Sequence, residues 1–176
     1  MSRFDSGIER LRLWDLAVCV RFNGAVRIAP VRRIFRVVSR LGDGIFWYSL
    51  MLALLATGGY SAIGPVGRMA GTGLVCTLIY KWLKSKTSRP RPFAVENAVR
   101  AGADPLDPFS FPSGHTLHAV AFSVVAIAFY PMLAWLLVPF TLLVAVSRVV
   151  LGLHYPSDVL AGAALGALIA QPFLVL

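Results

Sequence analysis

The chain has 176 residues, 57% of them hydrophobic and only 14% charged, with a mean hydropathy of +0.73. That length serves one domain rather than two well-cored ones, and a water-soluble domain would carry roughly 25% charged residues. The formal charge of +9 comes without a nucleic-acid motif or interleaved aromatics, so it fits an anionic lipid surface and a phosphate-bearing ligand better than nucleic acid.

Residues 1–43 form a basic, amphipathic opening. The first 40 residues carry nine arginines and no apolar core of signal-peptide type, so no cleavable leader is expected. Apolar positions from Leu11 to Val20 and from Ile34 to Leu41 suit two helices lying at a membrane surface. A span over 8–24 would bury Arg12, Asp15 and Arg21, which is costly. Cys19 and Cys76 fall in different apolar stretches and read as reduced packing residues.

Residues 44–176 read as the membrane domain. Gly44 to Gly67, Ala119 to Ser147 and Val159 to Leu176 contain no Asp, Glu, Lys, Arg or His. Stretches of this length can cross a hydrocarbon core roughly 30 Å thick. Met69 to Tyr80 is shorter, and Arg68 and Lys81 can snorkel from its ends. Spans are expected near 45–62, 66–84, 113–130, 132–151 and 157–175, with Tyr130-Pro131 dividing the third from the fourth. The expected fold is therefore an all-α integral membrane helical bundle of five spans, or six if 8–24 also crosses. Gly67-x-x-x-Gly71 and Gly162-x-x-x-Gly166 supply small faces for close helix packing.

Alternating the directions of these spans gathers Lys84, Arg91, Ser113, His115, Arg148, His154 and Asp158 at one membrane surface. Arginine forks match phosphate oxygens, and lysine adds a point charge. Lys86, Arg89 and Arg100 need no more than the excess of loop cations common at one membrane face, whereas Arg148 lies inside an apolar run. Phe111-Pro112-Ser113-Gly114-His115 opens a helix after the polar loop 85–111. There Ser113 suits a cap, Gly114 admits close approach, and free amides favour an anion. His115 stands ready as a general acid, while His118 is assigned to packing or support. His154 and Asp158 share one face at i and i+4 if helical. A carboxylate beside an imidazole fixes its tautomer and frees the other nitrogen to attack. Taken alone, Asp158 reads first as the cap of the last helix.

Three segments carry a resemblance: K-SKTSRP-RP at 84–92, PSGH at 112–115 and SR-VVLGL-H-YPS-D at 147–158. Together they resemble the signature of the type 2 phosphatidate phosphatase family, whose site is shared with vanadium haloperoxidases. The resemblance covers about residues 43–175; the amphipathic opening departs from members that begin with a full further span. It implies that His154 attacks phosphorus to form phosphohistidine, that Asp158 orients it, and that His115 protonates the leaving oxygen. It implies that Lys84, Arg91, Ser113, the Gly114 amide and Arg148 hold the phosphoryl oxygens. No Asp/Glu/His cluster of metal-ligand type is present, and no cofactor is expected. The expected activity is hydrolysis of a lipid phosphate, with isoprenoid diphosphates and simple phospholipid phosphates favoured by the short polar loop. The alternative is a non-catalytic lipid-phosphate binding or transport protein on the same scaffold. The expected location is the plasma (inner) membrane. Loop cations favour a cytoplasmic site, bacterial relatives a periplasmic one, and the sequence leaves the leaflet and the oligomeric state open.

Overall fold

The computed structural model describes residues 3–175; Met1, Ser2 and Leu176, at the ends of the basic opening and of the last apolar run, lie outside the described residues. The described residues form nine α-helices: α1 (Arg3–Asn23), α2 (Ala29–Arg40), α3 (Phe46–Gly58), α4 (Ile63–Thr87), α5 (Pro92–Val95), α6 (Gly114–Phe129), α7 (Ala134–Val150), α8 (Pro156–Ala170) and α9 (Pro172–Val175). Among the described residues the extended contacts amount to one isolated antiparallel bridge, Pro90 to Phe109. The fold is an all-α membrane bundle. Ala29–Thr87, Pro131–Val150 and Pro156–Val175 are long and apolar enough to cross a membrane, and Gly114–Phe129 is a shorter apolar helix.

Local chemistry sets the breaks. The helical run from Ala29 to Thr87 is divided at a π-type turn where Gly44 takes φ 131° and at a 3₁₀ turn where Gly59 takes φ 55°. Side chains rarely tolerate these angles, and glycine does. Tyr130 is driven to φ −134°, ψ 74° by the proline that follows, which ends α6. Pro156 sits in the first turn of α8, where its missing N–H costs nothing.

Helix α6 is the hub, packed against α8, α4 and α7. A Cβ on Gly162 would lie 2.6 Å from the Ser113 carbonyl oxygen, so α8 meets the start of α6 backbone to backbone. The other small-residue pair splits: Gly71 abuts the Phe173 ring, but a Cβ on Gly67 would meet nothing within 4 Å among the described residues. Trp47, Met69, Phe122, Leu137 and Val144 fill the main core. Cys19 and Cys76 are free and buried, as packing residues should be.

The N-terminal helices do more than decorate this bundle. Asp15, Cys19 and Asn23 recur every four residues on one face of α1. They touch Ser157, the His154 carbonyl and the Val150 carbonyl in turn. Helix α1 therefore lies over the turn between α7 and α8. Arg36 on α2 donates to the Gly102 carbonyl at 2.7 and 3.0 Å, fixing the polar loop over the same end.

Candidate active site

At that end a cavity of about 440 Å³ is lined by Lys84, Arg91, Gly114, His115, Arg148 and His154. His115 and His154 thus meet at one place, as the alternation of spans requires. Arg148 comes from the last turn of α7 and Lys84 from the last turn of α4. Gly114 and His115 come from the first turn of α6, and His154 from the turn before α8.

His154 is the best-defined member. It is 1% exposed, and the Arg91 guanidinium donates from Nη1 to its Nε2 at 3.2 Å. Arginine can only donate, so Nε2 accepts and the ring proton resides on Nδ1. Nδ1 lies 3.7 Å from the Asp158 carboxylate and has no closer partner. Burial first, then the Arg148, Arg91 and Lys84 cations, push the His154 pKa well below the ordinary histidine value. The ring is therefore neutral near pH 7, with its Nε2 lone pair turned to Arg91 in a cavity that Lys84 and Arg148 also line. Asp158 serves both readings of its sequence position, because its Oδ2 also accepts the Tyr155 backbone N–H at 2.9 Å and caps α8.

The cations are not idle. Lys84 Nζ donates to Asp107 Oδ2 at 2.6 Å and Arg91 Nη2 to Asp107 Oδ1 at 3.0 Å. Burial acts to raise the Asp107 carboxyl, but Lys84 and Arg91 outweigh it and hold it below its usual range. Arg148 is 2% exposed and bonds Ser39, yet its Nε has no partner among the described residues. A buried guanidinium left part-satisfied is costly, and an anion in the cavity would complete it. His115 Nε2 faces Asp43 Oδ1 in close contact.

The family model for the PAP2 superfamily matches residues 65–176. The chain belongs to the PAP2 superfamily. The PAP2 phosphatase LpxE from Aquifex aeolicus superposes with a TM-score of 0.77 at 25% identity, covering 96% of this chain and 94% of that one. Decaprenylphosphoryl-5-phosphoribose phosphatase from Mycobacterium tuberculosis is 31% identical, covering 90% of this chain and 88% of that protein. Lipid A 1-phosphatase from Rhizobium johnstonii is 27% identical over 79% of this chain. The chain spans 65% of that protein's length and 48% of another curated relative's.

Of the PAP2 signature residues expected from sequence, Lys84, Arg91, Gly114, His115, Arg148 and His154 line the cavity, with Asp158 behind His154. Ser113 differs from its reading as a cap. It occupies the N-cap position, but its hydroxyl pairs with Thr116 Oγ1 at 3.0 Å and bonds no backbone N–H. Arg89 is also more than a loop cation, since Nη1 donates to Asp158 Oδ1 at 2.6 Å. His118 is a supporting residue, held by the Gly114 carbonyl and Thr77. Sequence reasoning missed Asp43 and Asp107. Their only signal was an acid in a glycine turn and an acid in a basic loop.

Proposed function

We propose that the protein is a membrane lipid phosphatase that acts through a phosphohistidine at His154. The observation that carries this reading is the orientation of His154: Nε2 meets Arg91 in a cavity that Lys84 and Arg148 also line, while Nδ1 backs onto Asp158. In the first step Nε2 attacks phosphorus, the bond to the lipid oxygen breaks, and His115 delivers a proton to that oxygen. In the second, His115 takes a proton from water, the water oxygen attacks phosphorus, and the P–N electron pair returns to Nε2. Lys84, Arg91, Arg148 and the Gly114 amide stabilise the phosphoryl group, whose charge spreads over its oxygens as it transfers; Ser113, fully buried with its hydroxyl on Thr116, does not line the cavity. Substrate phosphate competes with Asp107 for Lys84 and Arg91.

The substrate is an isoprenoid diphosphate or a simple phospholipid phosphate in the inner membrane. The same cavity is also lined by Tyr80, Leu74, Met51 and Phe122, side chains suited to a hydrocarbon chain. Relatives named as phosphatases of lipid A and of decaprenylphosphoryl-5-phosphoribose support a lipid phosphate ligand. The three cations supply the charge neutralisation that a metal ion gives in other phosphoryl-transfer sites.

Purified protein in detergent, offered undecaprenyl diphosphate, phosphatidylglycerophosphate, phosphatidate and lipid A, should release phosphate from at least one. Release should persist in EDTA and be inhibited by vanadate, which adopts five-coordinate geometry at the phosphoryl position. Loss of activity in EDTA with recovery in magnesium would point to a metal mechanism. Tight binding of these lipids with no release would mark a binding protein instead.

A further inference from the structure

Arg89 and Asp15 have no part in the chemistry above, yet they form the densest ionic network beside it. Arg89 Nη1 donates to Asp158 Oδ1 at 2.6 Å and to Ser157 Oγ at 2.8 Å, and Nη2 donates to Asp15 Oδ2 at 2.8 Å. Its guanidinium carbon sits 4.1 Å from the centroid of the Tyr155 ring. Asp15 accepts the Ser157 backbone N–H at 2.9 Å and also bonds the Ser157 hydroxyl. It is fully buried, although Leu11, Leu13 and Trp14 on the same helix are exposed. A buried carboxylate on an otherwise open helix is retained only where it is paired.

We propose that Arg89 and Asp15 are positioning residues that set the charge and orientation of Asp158, making α1 part of the catalytic apparatus. The inference rests on His154 and Asp158 being the reacting pair. With Arg89 on Oδ1 and the Tyr155 N–H on Oδ2, the carboxylate cannot rotate, and its Oδ2 edge stays toward His154 Nδ1. The arrangement places one cation between two carboxylates. Without Arg89, the buried Asp158 loses its cation and keeps the Tyr155 N–H as a donor. Without Asp15, Arg89 would neutralise Asp158 in full and weaken its hold on an imidazole that becomes positive as phosphorus is attacked. Neither residue belongs to the signature motifs, and α1 lies outside the residues 65–176 that the family model matches.

The charged and titratable groups around Asp158 are Arg89 and Arg91 from the polar loop, Asp15 and Cys19 from α1, and His154 and Tyr155 from the turn before α8. Removing Arg89 takes a cation from beside the His154–Asp158 pair, so the acid limb of kcat/KM moves to higher pH. Removing the Asp15 charge does the opposite. The test uses the full chain in detergent with phosphatidate or farnesyl diphosphate, whichever the wild type turns over. Arg89→Gln should lower kcat on the order of 10- to 100-fold with KM unchanged, with the acid limb shifted up. Arg89→Lys should keep the wild-type limb while losing part of the rate. Asp15→Asn should lower kcat and shift the limb down, and Glu9→Gln, removing an exposed acid from the same helix, should change nothing. If Arg89→Gln and Asp15→Asn shift the limb together, or neither shifts it, the proposal is wrong whatever their thermal stability. Should His154→Ala retain activity in the same assay, the underlying mechanism fails instead.

Discussion

His154→Ala should abolish turnover of every substrate, whereas His115→Ala should lose activity in proportion to the basicity of the leaving group. The difference follows from what each ring does. Nε2 of His154 is the atom that bonds phosphorus, so its removal takes away the attacking atom itself. His115 supplies only a proton, help worth roughly 10²–10⁴-fold, and a leaving group of low pKa needs less of it. An activated aryl phosphate should therefore restore much of the rate to His115→Ala and none to His154→Ala. The comparison is made on kcat, with unfolding in detergent confirming that both variants are folded. If the aryl phosphate rescued His154→Ala and left His115→Ala inactive, the two assignments would be exchanged.

Arg148→Ala should separate activity from stability. Among the described residues the buried guanidinium has Ser39 as its only side-chain partner and Nε unbonded, so the folded protein carries a poorly compensated charge. Removing it should leave the unfolding temperature unchanged or higher. The rate should nevertheless fall, because the same group faces the developing phosphoryl charge. Loss of one such preorganised donor costs on the order of 10²–10³ in kcat. Arg148→Lys should recover only part of the loss, since an ammonium keeps the charge without the planar fork. A large drop in unfolding temperature for Arg148→Ala with kcat preserved would assign Arg148 to structure.

What could be read from the sequence divides along a physical line. The helices near 45–62, 66–84, 113–130, 132–151 and 157–175 were legible because hydropathy and proline act locally. The structure has them as α3 with its 3₁₀ turn, α4, α6, α7, and α8 with α9. The meeting of His115 and His154 followed from alternating those helices. Long-range pairing left no comparable trace. Arg89 resembled any loop cation until Asp15, 74 positions away, was folded against it. Asp43 reaches His115 across 72 positions, and nothing in Gly42-Asp43-Gly44 announces a histidine partner. Ser113 was misread for the converse reason: its N-cap position is local, but the hydroxyl turns to Thr116 one helical turn on. Gly67 matched a small-residue pattern and faces open space, since spacing alone does not say which side of a helix finds a neighbour.

The covalent intermediate is the central claim, and trapping it is the most direct test. Wild-type protein mixed with a lipid phosphate labelled in its phosphoryl group, then quenched in alkali within the first turnover, should carry label. Phosphohistidine survives base and is lost in acid, so the label should be base-stable and acid-labile. Peptide sequencing should locate it at His154, and His154→Ala should take up none. Stoichiometric label on an aspartate or serine, or turnover that inverts the configuration at phosphorus and so proceeds by a single displacement, would contradict the account.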